Sequence, residues 1–124
     1  MILQSPPEKA GPPHKKQKAP KNYMSTYKVL IAEDNKLLAS LIGQILSDLK
    51  IDNVTVNTGG DVLAAYNNDY YDMVLLDIMM PDKSGLQVSR EIRKTNASIP
   101  IVALTSLPYD EVKDELASSG INHY

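Results

Sequence analysis

Three apolar runs in this 124-residue chain end in side chains that can bind metal or react. Val29-Leu30-Ile31-Ala32 gives way to Glu33 and Asp34, Met73-Val74-Leu75-Leu76 to Asp77, and Ile101-Val102-Ala103-Leu104 to Thr105. If the three runs are adjacent strands of one sheet, three carboxylates and a hydroxyl gather at one edge. Acids about 4 Å apart repel by roughly 4 kcal/mol per pair at an effective dielectric of 20, so such a cluster implies a compensating cation. Oxygen ligands with open positions suit Mg²⁺, which keeps several waters and commonly bridges to phosphate. A carboxylate beside Mg²⁺ can attack phosphorus and form an acyl phosphate. Asp77, single and central, is the candidate nucleophile, and Glu33 with Asp34 the candidate metal cradle. The backbone carbonyl of Met79 is expected to turn toward the metal, and the Thr105 hydroxyl to bond a phosphoryl oxygen.

Taken singly, each residue also has a purely structural reading. An acid after a strand serves as a turn or cap residue, Glu33 and Asp34 suit the positive end of a helix, and Thr105 can cap the helix that follows. The joint placement, each at the end of an apolar run, favours a site. Met79 and Met80 read as packing residues, since thioethers are too soft for Mg²⁺. Pro81 and Gly85 read as loop formers, and His14 and His123 form no spaced metal pair. A second run, from Asn53 to Val56, ends less tellingly in Asn57 and Thr58.

The elements that must position these residues follow from the pattern. "YKVLIA" is a β-branched run suited to a strand covered on both faces. "EDNKLLASLIGQILSDLK" spaces Leu37, Leu38, Leu41, Ile42, Ile45, Leu46 and Leu49 as a helix does, with Asn35 as N-cap. "NVTVN" reads as a second strand, "TGGDVLAAYNND" as a turn and short helix, and "YDMVLLD" as a third strand. "SGLQVSREIRKT" is a helix with a basic outer face, and "IVALT" a fourth strand. "LPYDEVKDELASSG" opens with Pro108, Asp110 and Glu111 and closes on Gly120, the start and stop chemistry of a helix. "INHY" reads as the opening of a fifth strand. Regular alternation of strand and helix argues for an α/β fold, a parallel sheet with helices on both faces, whose ligands bind beyond the carboxyl ends of the strands.

Composition narrows the function classes. Apolar residues make up 43% and charged residues 23%, enough for one modest core. A net charge of −2 offers no overall attraction for nucleic acid or an anionic membrane. Without cysteine there is no disulfide, thiol nucleophile or thiolate zinc site. No run is long enough for a membrane span or a secretory signal, so a cytoplasmic or nuclear protein is expected. Residues 1–26, with five prolines among lysines, read as a disordered tail or linker, and its "HKKQKAPK" cluster more as a solvated linker than as an import signal.

The motifs "KVLIAEDN", "MVLLDIMMPDKSG", "IPIVALTS" and "GINHY", in this order, resemble the receiver domain of two-component response regulators and hybrid histidine kinases, over Tyr27 to Tyr124. The resemblance implies a flavodoxin-like doubly wound fold with strand order 2-1-3-4-5. It implies a phosphorelay role, with transfer from a phosphohistidine on a histidine kinase or histidine phosphotransfer protein to Asp77. Mg²⁺ would be held by Glu33, Asp34, Asp77 and the Met79 carbonyl; Thr105 and Tyr124 match the switch positions. Self-phosphorylation and slow aspartyl-phosphate hydrolysis are implied, with no metabolic activity. The family also places a lysine three positions beyond the residue matching Tyr124, then a fifth helix. The chain therefore reads as a fragment linked to a further upstream or downstream domain. Two other functions are open to it: a phosphorylation-independent interaction module, and a Mg²⁺ phosphatase of the haloacid dehalogenase type. The second is disfavoured because Ile78 and Met79 stand where that family has Asp-x-Asp.

Overall fold

Apolar runs of four or five residues with short polar connections leave the backbone one economical arrangement, strands paired side by side with each intervening helix crossing a face. The computed structural model describes residues 27–124 and has that arrangement. The Pro/Lys-rich segment 1–26 lies outside the described residues. The elements run β1 (Lys28–Ala32), α1 (Lys36–Asp48), β2 (Asp52–Val56), α2 (Gly59–Asn68), β3 (Met73–Asp77), α3 (Gly85–Arg93), β4 (Ile101–Leu104) and α4 (Tyr109–Ser118). The four strands are parallel in the order β2-β1-β3-β4. Residues 121–124, expected to open a fifth strand, lie beside β4 but make a single parallel bridge, Val102 to His123. The Ala103 amide donates to the His123 carbonyl at 2.8 Å, and one bridge does not constitute a strand.

The expected capping chemistry is present. Asn35 caps α1 by accepting from the Leu38 amide at 3.0 Å, and Ser84 and Gln87 form a reciprocal capping box at the start of α3. Thr58 caps α2 through the Asp61 amide at 3.2 Å. Helix α4 starts at Pro108 with no side-chain cap; Asp110 and Glu111 in its first turn complement the helix dipole instead. The chain leaves it just past the cap at Ser119 through Gly120, whose φ of +81° favours a residue without Cβ. Arg93 of α3 binds this end: its Nε donates to the Gly120 carbonyl at 2.8 Å and Nη2 to the Asn122 side chain at 2.6 Å. Asn122 in turn accepts from the Ile101 amide, so one arginine joins α3, the end of α4 and the edge of β4.

Alternation along the strands divides the interior in two. Leu30, Ala32, Val74, Leu76, Ile101 and Ala103 face α2, α3 and α4 and form one buried cluster with Val62, Val88, Ile92 and Leu116. Each of the buried leucine, isoleucine and valine side chains contributes about 1.5–3 kcal/mol. The opposite face is lined by Val29 and Ile31 and is covered by α1, of which Ala39 alone is buried. The leucines and isoleucine that gave α1 its periodicity are less covered than expected: Leu37 is 83% exposed and Leu49 64%, with Leu38, Leu41 and Ile45 between 42% and 56%. Among the described residues no helix is long and apolar enough to cross a membrane.

Register places the strand ends level with one another. Ala32 pairs with Leu76, which sets Glu33 opposite Asp77, and Asp77 pairs with Leu104, which sets Thr105 one step beyond. Gly85 fixes the return of the chain after β3, because a Cβ there would lie 2.2 Å from the Asp77 carbonyl oxygen. Gly85→Ala is expected to destabilise the domain by about 1–3 kcal/mol, measured as a lower urea midpoint at unchanged slope.

Candidate functional site

The carboxyl ends of β1 and β3 deliver Glu33, Asp34 and Asp77 to a common point, where one carboxylate oxygen of each lies within 4.8 Å of the others. Among the described residues this is the one group of three such ligands. Glu33 and Asp77 are buried and Asp34 is exposed, so the cluster is open to water on one side. Hydrogen bonds orient both buried acids: Glu33 accepts from the Asn35 amide at 3.0 Å, and Asp77 Oδ1 from the Met79 amide at 2.9 Å. A cleft of about 440 Å³ borders the acids, lined by Glu33, Asp77, Thr105 and Ser106 and walled by Leu38, Ile42 and Leu104. A larger open groove, about 500 Å³ and lined by Lys28, Lys50 and Asp52 among others, lies at the opposite edge of the sheet. Strand-end chemistry, and not cavity size, locates the site.

The charge problem anticipated from the sequence is visible in Asp77. Burial, with the adjoining Asp34 and Glu33 carboxylates favouring a proton between them, pushes its carboxyl up to about 7; the Met79 amide opposes the shift. Three clustered oxygen acids with an open side fit a hard divalent cation such as Mg²⁺ better than a softer metal.

The remaining expected residues are arranged around this point. Thr105 lines the cleft as expected, and it does not cap α4: its Oγ1 accepts from the Leu107 amide at 3.1 Å. Tyr124 stands outside the cleft, half exposed, with its hydroxyl donating to the Leu107 carbonyl and its ring edge-on to Tyr109 at 5.2 Å. Leu107 therefore connects the two residues. Met80 is buried in the core as expected of a packing residue; Met79, also read as a packing residue, is instead 67% exposed, with its amide bonded to Asp77.

Two residues not singled out in the sequence also bear on the site. The Asn57 side chain donates to the Glu33 carbonyl at 2.8 Å. The Asp82 carboxylate accepts from the Gly59 amide at 2.7 Å and the Gly60 amide at 2.9 Å. The signals were slight: a glycine pair opening a helix, and an acid directly after Pro81.

Comparison with known proteins gives the lineage. Residues 29–124 match the family model described as the response regulator receiver domain. The chain belongs to that family. Relatives of this receiver include the hybrid signal transduction histidine kinase L of Dictyostelium discoideum, 36% identical over 93 residues, which cover 71% of this chain and 5% of the kinase. The chain spans between 5% and 39% of the length of the first curated relatives it matches. Among solved structures it is similar to the response regulator TrrA of Thermotoga maritima in complex with Mg²⁺-BeF, with a TM-score of 0.72 at 30% identity, covering 80% of this chain and 84% of that one. It is also similar to the receiver domain of Ssk1 from Saccharomyces cerevisiae, crystallised with the histidine phosphotransfer protein Ypd1: TM-score 0.74, 25% identity, 80% and 77% covered. The four-stranded order found here is the receiver's flavodoxin-like sheet, and the chain is a receiver domain of two-component signalling.

The raised Asp77 carboxyl links the metal-free site to stability. A carboxyl that binds its proton more tightly folded than unfolded, here about 7 against an ordinary 3.8, stabilises at low pH and loses that contribution as pH rises between those values. In EDTA, thermal midpoints are therefore expected to fall from pH 4 toward pH 7, and Asp77→Asn to raise the midpoint at pH 7.5 and flatten the dependence.

Proposed function

We propose that this receiver accepts a phosphoryl group on Asp77 from a phosphohistidine of a histidine kinase or histidine phosphotransfer protein, in a Mg²⁺-dependent reaction. The observation that carries this reading is the meeting of Glu33, Asp34 and Asp77 within 4.8 Å at the rim where Thr105 also lines the cleft. The Mg²⁺-BeF complex of TrrA and the Ypd1 complex of the Ssk1 receiver, both relatives in structure, support it.

Glu33, Asp34, Asp77 and the Met79 carbonyl would hold the cation. Bound there, Mg²⁺ would draw charge from the phosphoryl oxygens and offset repulsion between the incoming anion and the three acids. The chain's own residues do the rest. The Met79 amide orients the Asp77 carboxylate through Oδ1, and a carboxylate oxygen of Asp77 attacks phosphorus. As the new P–O bond forms, the P–N bond to the donor imidazole breaks; its electron pair stays on the ring nitrogen, which then takes a proton. Thr105 accepts through Oγ1 from Leu107, so its hydroxyl hydrogen remains available for a phosphoryl oxygen. Movement of Thr105 toward that oxygen acts on Leu107, and through the Leu107 carbonyl on Tyr124. Water entering the open side by Asp34 hydrolyses the acyl phosphate slowly and resets the domain.

Incubation with acetyl phosphate and Mg²⁺ is expected to add one phosphoryl group, read by intact mass spectrometry, and EDTA to prevent it. Asp77→Asn should abolish the adduct, and Thr105→Ala should slow its formation by roughly ten- to a hundredfold. Label retained at the wild-type rate in Asp77→Asn would reject the assignment.

A further inference from the structure

The two arms of the acid cluster come from different loops, and one short turn touches both. Residues 57–60, which leave β2 and open the first turn of α2, reach the β1 arm through Asn57, whose side chain donates to the Glu33 carbonyl. They reach the loop after β3 through Asp82, whose two carboxylate oxygens each accept one amide of the Gly59-Gly60 pair. The approach is close. A Cβ on Gly59 would lie 2.5 Å from the Lys83 carbonyl oxygen, and one on Gly60 3.2 Å from Asp82 Oδ2. Helix α2 already has a cap of its own in Thr58, which serves the Asp61 amide. Asp82 is a second acceptor, supplied from a loop 22 residues further along the chain. Between Asp77 and Asp82 lies Met79, whose position is constrained on one side by its amide bond to Asp77 and on the other by the anchoring of Asp82.

We infer that Asp82 is a positioning residue: by clamping the loop after β3 onto the first turn of α2 it holds the Met79 backbone at a fixed spacing from Asp77 and Glu33, whose own places are set by strand pairing, a role that presupposes the Mg²⁺ site proposed for those residues. Asp82 touches neither the cluster nor a phosphoryl group. Its effect is on how far apart the ligands stand when no cation draws them together, and so on how much reorganisation cation binding requires. The acid is suited to this because its two oxygens engage two successive amides at once; alanine engages neither, and asparagine has one acceptor for the two.

Titration calorimetry with MgCl₂ on the full chain tests the clamp. Asp82→Ala is expected to weaken Mg²⁺ binding about tenfold, the scale on which groups orienting metal ligands act, with Asp82→Asn between it and wild type. Thr58→Ala, which removes a cap from the same helix terminus without touching the loop, is the stability control. It should lower the thermal midpoint by a similar amount and leave Mg²⁺ affinity within about twofold of wild type, since its cap bond stays within α2 and does not reach the loop after β3. Affinity in Asp82→Ala within about twofold of wild type, or an equal loss in Thr58→Ala, would overturn the positioning role. Should Asp82→Ala not fold, Asp82→Asn against Thr58→Ala decides by the same comparison. A wild-type chain that binds no Mg²⁺ would instead overturn the metal site itself and this role with it, a result distinct from wild-type binding that Asp82 does not influence.

Discussion

Mutual repulsion of the carboxylates at the ends of β1 and β3 is the constraint around which this domain is organised. At separations within 4.8 Å each charged pair costs roughly 3–4 kcal/mol at an effective dielectric of 20, and this repulsion adds to the burial that chiefly raises the Asp77 carboxyl. The rest of the fold holds the acids in place against that force. Paired backbone on both sides of β1, the buried cluster under β3 and β4, and the amides of Asn35 and Met79 all act on groups that would otherwise separate. An arrangement that is unfavourable alone becomes a ready site for a cation, because binding removes the repulsion that folding imposed.

The other side of the site is held differently. Thr105, Leu107 and Tyr124 are joined by single hydrogen bonds along an exposed loop, and α4 begins there without a side-chain cap. The far end of α4 is tied by Ser89, Arg90 and Arg93, which bond to the Ser119 carbonyl, the Ser119 hydroxyl and the Gly120 carbonyl. The helix is thus firmly held at its carboxyl end and lightly at its amino end. In the proposed reaction a pull on Thr105 meets the lightly held end first, and the buried polar ties to α3 confine the response to that side.

Much of this was legible in the sequence because the relevant forces are local. The four strands follow from unbroken apolar runs, the helices from their spacing, and the caps at Asn35 and Gly120 from side-chain and backbone chemistry within a few residues. Asp77 and the Glu33-Asp34 pair could be read as a site because each follows a run that had to be buried. What was not legible depends on partners distant in the chain. Asn57 and Asp82 bond to groups 22 to 24 positions away, and the slight signals in their own neighbourhood do not say which partners they meet. Helical spacing likewise showed that Leu37, Leu41 and Leu49 share a surface with the other leucines of α1, but not how little the sheet covers them. The exposure of Met79 beside a buried Met80 was also not legible, since two adjacent methionines carry no periodic signal that tells them apart.

Gly59 and Gly85 lead to a different point about the dimensions of the rim. Neither has the left-handed backbone that usually explains a glycine, so any L-residue could adopt their dihedral angles. What they provide is vacancy: the chain passes so near Lys83 and the Asp77 carbonyl that a single methyl would act as a wedge. A methyl at either position would push the loop after β3 away from α2 or from the end of β3, and so shift the backbone that carries Asp77 and Asp82 without touching their side chains.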